Sequence, residues 1–290
     1  MKVALFLATI LGLAITVTAQ SSGERSVTDA PLSESAEDWY KKAITQMRSD
    51  AGKEALEKAI ALRPDYAEAY FALGVWHLSK RRCLLGSDLM KLRAESKDRV
   101  AVGIEFIKKA IELKPNYPQA FEQLGHAYQR LEKYSEASGA FETAIAQGSS
   151  SMWVSLELAR LYVRSGRHED AIRMYKSVTD KLNSSGSRVN LDGFDSMWLN
   201  SAFRDLARLY VKLDRNFDAW QVYQQITLLE PEDADIHYEL GLLFVKDGNK
   251  ALAEKEHRIL KKIESETDHA YSRKEINKDA RDLLTLIKEM

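Results

Sequence analysis

A spaced pattern of aromatic and small residues near the middle of the chain constrains its fold more strongly than any other feature. The stretch FEQLGHAY begins at Phe121, and the stretch ASGAF follows from Ala137. Phe121, Leu124 and Tyr128 are spaced at i, i+3 and i+7, which places them on one face of a helix. Gly125 has no side chain where a second helix must come close, and Ala137 is a small residue available to meet it. The pattern therefore predicts two short helices packed closely as a hairpin.

The leucine and the small residue of this pattern recur along the chain at related intervals. The copies are Leu73-Gly74, Leu124-Gly125, Leu158-Ala159, Leu206-Ala207 and Leu240-Gly241. Successive copies are 51, 34, 48 and 34 residues apart, so two intervals equal 34 and the others exceed it by 17 and 14. Prolines follow several second helices, at Pro64, Pro115 and Pro231, where they end one helix before the next begins. A chain with this pattern and period resembles the tetratricopeptide repeat (TPR) family, and the resemblance covers roughly residues 33 to 267.

The resemblance to TPR proteins implies an all-α fold, a right-handed α-solenoid of about six helix-turn-helix repeats over residues 35–267. The additional residues in two of the intervals predict inserts near 79–100 and 183–195. Leucines at helical spacing indicate that much of the first insert is helix, whereas serine and glycine in the second indicate a flexible loop. Over residues 268–290 an apolar stripe predicts a C-terminal capping helix; its members are Ile276, Ala280, Leu283, Leu284 and Ile287.

The N-terminal segment predicts export. Lys2 precedes a mostly apolar run over residues 3–17, and small residues ending at Ala19 form an acceptable cleavage site. We therefore expect a signal peptide over residues 1–19, a flexible lead-in over 20–34, and a periplasmic or secreted protein. The apolar run is shorter than the ~20 residues of a spanning helix. The alternative is an uncleaved leader that anchors the protein N-terminally, the one case in which we expect contact with a membrane.

Charge and motif content argue against several classes of function. The chain has 42 basic and 43 acidic residues, a balance that gives no reason to expect nucleic acid or an anionic membrane surface as partner. The single cysteine, Cys83, rules out an intramolecular disulfide and a cysteine-based zinc site. His168 and Glu169 begin like a zinc-protease helix, but Ile172 stands where the second histidine would be needed. No serine-hydrolase elbow, phosphate loop or dinucleotide motif occurs, so we expect no enzyme activity, no cofactor and no metal.

Partner binding in TPR proteins usually takes place in a concave groove lined by the first helix of each repeat, so the resemblance implies a protein or peptide partner. Spacing of i, i+4 and i+8 identifies the groove-facing residues. The predicted partner-binding residues are Phe71, Val75, Glu122, His126, Arg130, Arg160, Arg164, Arg204, Arg208, Lys212, Tyr238 and Leu242, with Ser79, Leu156 and Lys246 on the same lines. Arg160, Arg204 and Arg208 make the middle of the groove basic, which favours an acidic partner segment. The alternative is that these arginines pair with neighbouring carboxylates such as Glu157 or Asp205.

These expectations favour a non-enzymatic interaction scaffold of the periplasm or cell envelope, which holds a protein partner or helps to assemble a complex. The alternative is an accessory subunit or domain of an envelope enzyme complex, whose activity cannot be read from the sequence. Recovery of one stoichiometric partner from an envelope extract would separate the two functions.

Overall fold

The computed structural model describes residues 34–47, 49–79, 89–184, 193–267 and 270–290. Over these ranges the chain forms thirteen α-helices and no β-strand, which confirms the predicted all-α fold. The predicted signal peptide, the lead-in up to residue 33, Cys83 and the middle parts of both inserts lie outside the described residues.

The helices form six consecutive pairs and a final single helix. The pairs are α1 (Ala36–Thr45) with α2 (Asp50–Leu62), α3 (Ala67–Ser79) with α4 (Leu89–Leu113), α5 (Pro118–Arg130) with α6 (Tyr134–Ala146), α7 (Met152–Arg164) with α8 (His168–Ser184), α9 (Gly193–Lys212) with α10 (Asn216–Leu229), and α11 (Ala234–Lys246) with α12 (Lys250–Glu266); the last helix is α13 (Ala270–Glu289). The chain divides into two compact units, an N-terminal unit that ends at Ser150 and a C-terminal unit that begins at Ser151.

Polar residues and proline set where helices of the N-terminal unit begin. Ser35 and Asp38 form a capping box at the start of α1, in which each side chain accepts a hydrogen bond from the backbone N–H of the other. Ser49 caps α2 by accepting a hydrogen bond from the N–H of Gly52 at 3.1 Å. Pro118 is the first residue of α5, where the missing N–H has no intrahelical partner to lose.

Glycines in the first helices of this unit allow the paired helices to approach closely. A Cβ on Gly125 would lie 2.5 Å from the ring of Phe141 on α6, and a Cβ on Gly74 would lie 2.9 Å from the carbonyl oxygen of Gly103 on α4. The atoms nearest to Gly125 therefore belong to Phe141 rather than to the predicted Ala137, because the aromatic side chain reaches across from one turn further along α6. Ala137 is itself fully buried.

The two inserts compare differently with the sequence interpretation. Helix α4 begins at Leu89 and continues through the second helix of its repeat, so the part of the first insert from residue 89 to 100 is helical. In the second insert, α8 continues to Ser184 and α9 begins at Gly193, so both ends of the predicted loop over 183–195 are helical. Phe194, Met197 and Trp198 stand at helical spacing in the first part of α9, a signal that an interpretation based on serine and glycine content missed.

Helix α13 packs on α11 and α12. Ala280, Leu283 and Ile287 are buried, while Ile276 and Leu284 are half-buried. The side chain of Leu283 fills the space that a Cβ on Gly241 of α11 would occupy. The apolar stripe of α13 therefore covers the last repeat, in the place where a further repeat would otherwise pack.

A buried polar pair joins α11 to α12. His237 Nδ1 lies 2.7 Å from Glu256 Oε2, and His237 Nε2 donates to the carbonyl oxygen of Pro231 at 2.9 Å. Burial by itself lowers the pKa of His237, but the hydrogen bonds to Glu256 and Pro231 and the charge of Glu256 outweigh burial and raise it above its ordinary value. The bonds from His237 to Glu256 and Pro231 therefore favour the protonated imidazole and give both ring nitrogens a partner.

Candidate partner-binding surface

The predicted groove residues of the N-terminal unit lie on α3 and α5, where most of them contact neighbouring helices or turns. Phe71 is half-buried with its ring 4.9 Å from the ring of Tyr117, and Val75 is also half-buried. Glu122 accepts a hydrogen bond from the hydroxyl of Ser149. Arg130 Nη1 donates to the carbonyl oxygen of Leu78 at 2.6 Å, which satisfies an acceptor at the end of α3. His126, on the same line, is half-buried.

An aromatic and charged cluster before α3 and α5 was not identified from the sequence. Tyr66 and Tyr117 occupy the same place two residues after Pro64 and Pro115, so the repeat itself carried the signal. Lys114 Nζ lies 2.8 Å from Glu68 Oε1 and 4.7 Å from the ring centre of Tyr117. Burial, with a smaller effect from the carboxylate of Glu68, raises the pKa of Tyr117 to about 12.

In the C-terminal unit, Arg160 on α7 makes three hydrogen bonds to other side chains. Its Nε donates to Asp205 Oδ2 at 2.8 Å, its Nη1 to Glu157 Oε1 at 2.7 Å, and its Nη2 to the hydroxyl of Ser201 at 2.7 Å. Glu157 belongs to the same helix, whereas Asp205 and Ser201 belong to α9. Burial lowers the pKa of the Arg160 guanidinium, but its bonds to Asp205 and Glu157 outweigh this effect and raise it. Arg160 therefore joins the first helices of two successive repeats.

Arg208 on α9 repeats this arrangement with the next first helix, α11. Arg208 Nε donates to Glu239 Oε1 at 2.7 Å, and Glu239 Oε2 accepts a hydrogen bond from the hydroxyl of Tyr223 at 2.7 Å. The hydrogen bond to Glu239 raises the pKa of Arg208, and burial raises the pKa of Tyr223. The third predicted arginine, Arg204, binds Asp233, just before α11.

The residues of this arrangement occupy equivalent places in the repeats. In the C-terminal unit an acidic residue stands directly before Leu158, Leu206 and Leu240, and an arginine stands directly after Ala159 and Ala207. We call the resulting series the charge ladder; its members, in chain order, are Glu157, Arg160, Asp205, Arg208 and Glu239. In each contact between repeats, the arginine belongs to the earlier repeat and the carboxylate that accepts its hydrogen bond belongs to the later one.

The sequence left open whether the arginines of the predicted groove pair with neighbouring carboxylates, and in the charge ladder they do. Arg160, Arg204 and Arg208 each contact at least one carboxylate. Lys212, one turn beyond Arg208, is exposed and has no side-chain hydrogen bond or ion pair in the described part of the chain. Arg164 is also exposed. Of the predicted cations, Lys212 is the one whose charge is left for a partner.

An open cavity of about 270 Å³ lies beside the charge ladder. Its lining residues are Arg160, Val163, Tyr175, Asp205, Arg208, Leu209 and Lys212. Burial, with the nearby carboxylate of Asp205, raises the pKa of Tyr175, so its phenol stays protonated at neutral pH. The cavity thus presents a hydroxyl, a carboxylate, guanidinium groups and a free ammonium group around two apolar side chains. This set can accept and donate hydrogen bonds to a peptide.

The remaining predicted positions of the C-terminal unit are less open than the sequence indicated. Leu156 is fully buried, because the helical line on which it stands turns into the core at the start of α7. Tyr238 and Leu242 are half-buried on α11; burial raises the pKa of Tyr238, with Asp279 and Asp282 of α13 adding to the effect. Lys246 donates to the carbonyl oxygen of Val211 at 3.1 Å.

The described residues contain no group of three or more histidine, cysteine, aspartate or glutamate residues placed to hold a metal ion. Among the helices of the same ranges, none combines the length and the hydropathy that crossing a membrane requires.

Comparison with known proteins agrees with the helix pairs. The tetratricopeptide repeat family model matches residues 122–185 and 204–258. The TPR repeat-containing protein YpiA of Bacillus subtilis (strain 168) is 27% identical over 153 residues, which are 52% of this chain and 31% of that relative. The chain therefore spans about a third of the length of the curated relative that it matches.

Solved structures share the fold at low sequence identity. The crystal structure of YrrB, described as a TPR protein with an unusual peptide-binding site, superposes with a TM-score of 0.53 at 19% identity, covering 78% of this chain and 99% of YrrB. Pseudomonas aeruginosa pilF gives a TM-score of 0.50 at 16% identity, covering 79% of this chain and 91% of that one. The family match, the six helix pairs and these likenesses together show a fold of tetratricopeptide repeats.

Proposed function

We propose that this protein is a non-enzymatic scaffold that binds an extended segment of a protein partner on the surface formed by α7, α9 and α11. TPR proteins mediate protein–protein interactions, which sets the general function. The observation that carries the specific proposal is the cavity of about 270 Å³ beside the charge ladder. Its polar groups are held by bonds to neighbouring helices before any partner arrives, and such preorganisation lowers the entropy cost of binding.

The segment that we propose carries an acidic side chain next to Lys212. Lys212 is exposed and uncompensated, and Arg208 beside it is 54% exposed although it contacts Glu239. Exposed ion pairs contribute only about 0.2–1 kcal/mol each, so these cations orient and select the partner while Val163 and Leu209 supply apolar contact. The guanidinium group of Arg160 already donates to three acceptors. It therefore holds neighbouring side chains in place and is not available to pair with a partner's carboxylate.

We also propose that the scaffold works outside the cytoplasm, in the periplasm or cell envelope. The support for this location is the leader over residues 1–19, with its basic start, apolar run and small-residue cleavage site. The intact mass of protein recovered from the envelope fraction tests it. Loss of the leader indicates release, an intact leader on envelope protein indicates an N-terminal anchor, and full-length protein confined to the cytoplasm would contradict both.

Site-specific photo-crosslinking tests the binding surface. A photoreactive amino acid at position 212 lies at the cavity, whereas one at position 221 lies on the exposed side of α10 and serves as the matched control. We expect one partner to crosslink from position 212 and not from position 221. Crosslinking from position 221 alone would place the partner elsewhere and reject the proposed surface.

Titration of the recovered partner then tests the acidic segment. We expect Lys212→Glu to weaken binding about fivefold and the loss to shrink at high salt, because the exposed cation is screened. The double variant Arg160→Glu/Arg208→Glu is less suitable, since both arginines hold neighbouring helices and reversal would also lower stability. Equal affinity of Lys212→Glu and wild type at all salt concentrations would remove the acidic part of the proposal. A partner that is an enzyme and gains activity on binding would instead favour an accessory subunit.

A further inference from the structure

A second cavity of the C-terminal unit lies between α12 and α13, away from the charge ladder. It has a volume of about 420 Å³, and we call it the basic cleft. Helix α12 supplies Lys250, Glu254, His257 and Arg258 to its lining, and helix α13 supplies Leu284, Ile287 and Lys288. Ile287 is only 2% exposed and Leu284 is half-buried, so the floor of the cleft is apolar while its rim is charged.

The cations of the basic cleft differ from the arginines of the charge ladder in that no described residue forms an ion pair with them. Lys250, Arg258 and Lys288 are exposed, and none of their side chains has a hydrogen bond or ion pair within the described residues. Glu254 is the single acidic residue of the lining. Burial, with the charge of nearby Lys261, lowers the pKa of His257 and so favours its neutral imidazole. Three cations and one anion give the cleft a net charge of 3 − 1 = +2.

We propose that the basic cleft is a second docking surface, which takes an acidic segment of a protein partner with an apolar side chain seated on Leu284 and Ile287. The planar guanidinium of Arg258 suits a carboxylate in two-point contact, and the ammonium groups of Lys250 and Lys288 suit further carboxylates. The carboxylate of Glu254 and the imidazole of His257 can bond to backbone N–H and C=O groups of a peptide. This surface stands independently of the one proposed for α7, α9 and α11.

A protein segment fits the cleft better than a membrane surface does. Juxtamembrane basic clusters that hold anionic lipid usually contain about four to eight lysine or arginine residues, whereas this rim has three and includes a carboxylate. A carboxylate in that position repels lipid phosphate but accepts a hydrogen bond from a peptide N–H. The chain as a whole has a formal charge of −1 and so offers no general attraction to an anionic bilayer.

Fluorescence anisotropy with the full chain tests the proposal. The probe is a fluorescein-labelled peptide of glutamate and leucine, and its counterpart replaces every glutamate with lysine. We expect the acidic peptide to bind and the lysine peptide not to bind. The double variant Arg258→Glu/Lys288→Glu should weaken the acidic peptide about tenfold, since it removes two attractions and adds two repulsions. The control Lys274→Glu/Lys278→Glu makes the same change in net charge at exposed positions of α13 outside the cleft and should weaken it less than about threefold.

Several outcomes would overturn the proposal. Equal loss of affinity in the two double variants would show attraction to net charge rather than to the cleft. Loss of peptide affinity with Lys212→Glu but not with Arg258→Glu/Lys288→Glu would place the peptide in the cavity beside the charge ladder. It would reject the basic cleft and leave the proposed surface of α7, α9 and α11 unaffected. A third outcome would identify a lipid surface instead. In that case wild type sediments with phosphatidylserine-containing vesicles but does not bind the acidic peptide, and the double variant Arg258→Glu/Lys288→Glu no longer sediments with the vesicles. Should the double variant unfold on heating earlier than wild type, Lys288→Ala, which removes one exposed charge, gives the same comparison and should weaken the peptide about threefold.

Discussion

Arg160 on α7 donates a hydrogen bond from Nε to Oδ2 of Asp205 on α9 at a distance of 2.8 Å. This contact lies between residues 45 positions apart in the chain and holds a carboxylate whose side chain is only 22% exposed. Removal of the arginine would leave Asp205 and Ser201 without that donor in a partly desolvated place. We therefore expect Arg160→Ala to lower the free energy of unfolding by about 1 kcal/mol, a figure already reduced because Arg160 itself is 39% exposed. Urea unfolding of the variant measures it.

The control for Arg160→Ala is Lys212→Ala on the neighbouring first helix. Lys212 has no side-chain partner among the described residues, so its removal should change stability by less than about 0.5 kcal/mol. The cycle of Arg160→Ala, Asp205→Ala and the double variant should give a coupling energy of about 1 kcal/mol. Strict additivity of the two single variants would mean that the contact does not stabilise the packing of α7 and α9.

The buried pair of His237 and Glu256 predicts a loss of stability at alkaline pH. The pKa of His237 is raised in the folded state, so folding favours its protonated form. The stabilisation is complete below the unfolded pKa of about 6.5 and is lost as pH rises through the folded value. We expect the free energy of unfolding of wild type to fall over this range and that of His237→Gln to fall much less, as measured by denaturant unfolding from pH 6 to pH 9.

His257→Gln provides the matched control for this pH dependence. The pKa of His257 is lowered, so its contribution is lost toward acid pH rather than toward alkaline pH. The alkaline loss of stability should therefore persist in His257→Gln. If it disappears in His257→Gln and persists in His237→Gln, the assignment to His237 is wrong.

Two glycines of one helix pair predict opposite effects of the same substitution. Gly139 lies on the exposed side of α6 with no atom within 4 Å of a built Cβ, so Gly139→Ala should stabilise the N-terminal unit by about 0.5–1 kcal/mol through helix propensity. Gly125→Ala would push a methyl group into the ring of Phe141 and should lower stability by about 1–3 kcal/mol. Thermal unfolding followed by circular dichroism compares them directly. Destabilisation by both would show that the exposed position has an unseen contact.

The capping helix predicts a large effect from one leucine. Leu283 is fully buried against α11, and Leu283→Ala should cost about 2–4 kcal/mol by lost burial and by the cavity left behind. Leu286 is 36% exposed on the same helix, and Leu286→Ala should cost less than about 1 kcal/mol. Urea unfolding of the two variants tests whether α13 is part of the cooperative C-terminal unit. Equal costs would indicate that α13 does not cover the last repeat as described.

The sequence was sufficient to predict the fold because the same pattern of apolar and small residues recurs in successive repeats. Leu73, Leu124, Leu158, Leu206 and Leu240 are all in first helices, each beside a small residue. The apolar stripe of α13 likewise needs only helical periodicity, and three of its members, Ala280, Leu283 and Ile287, are buried. The second insert was predicted less well, since serine and glycine content does not show where a helix of neighbouring residues continues.

The candidate site was predictable only in part, because spacing along one helix carries no information about the helix beside it. The i, i+4 spacing placed Arg160 and Arg208 on the first helices, but their acceptors depend on how two repeats are aligned. The acceptors did leave a signal, since Asp205 and Glu239 stand at the same repeat position. The basic cleft had no comparable signal, because α12 and α13 belong to different parts of the pattern.

The direction of the charge ladder has a consequence for how such a chain can lengthen. Each internal repeat of the ladder contributes one acid to the repeat before it and one arginine to the repeat after it, and the series stops at α11, where Leu242 takes the arginine position. A tandem duplication of α9 and α10 would therefore copy both partners together. Arg160 would meet the acid of the first copy, the arginine of that copy would meet the acid of the second, and Glu239 would receive the last arginine. A gene for this protein could gain one repeat in a single event without leaving a half-buried carboxylate unmatched.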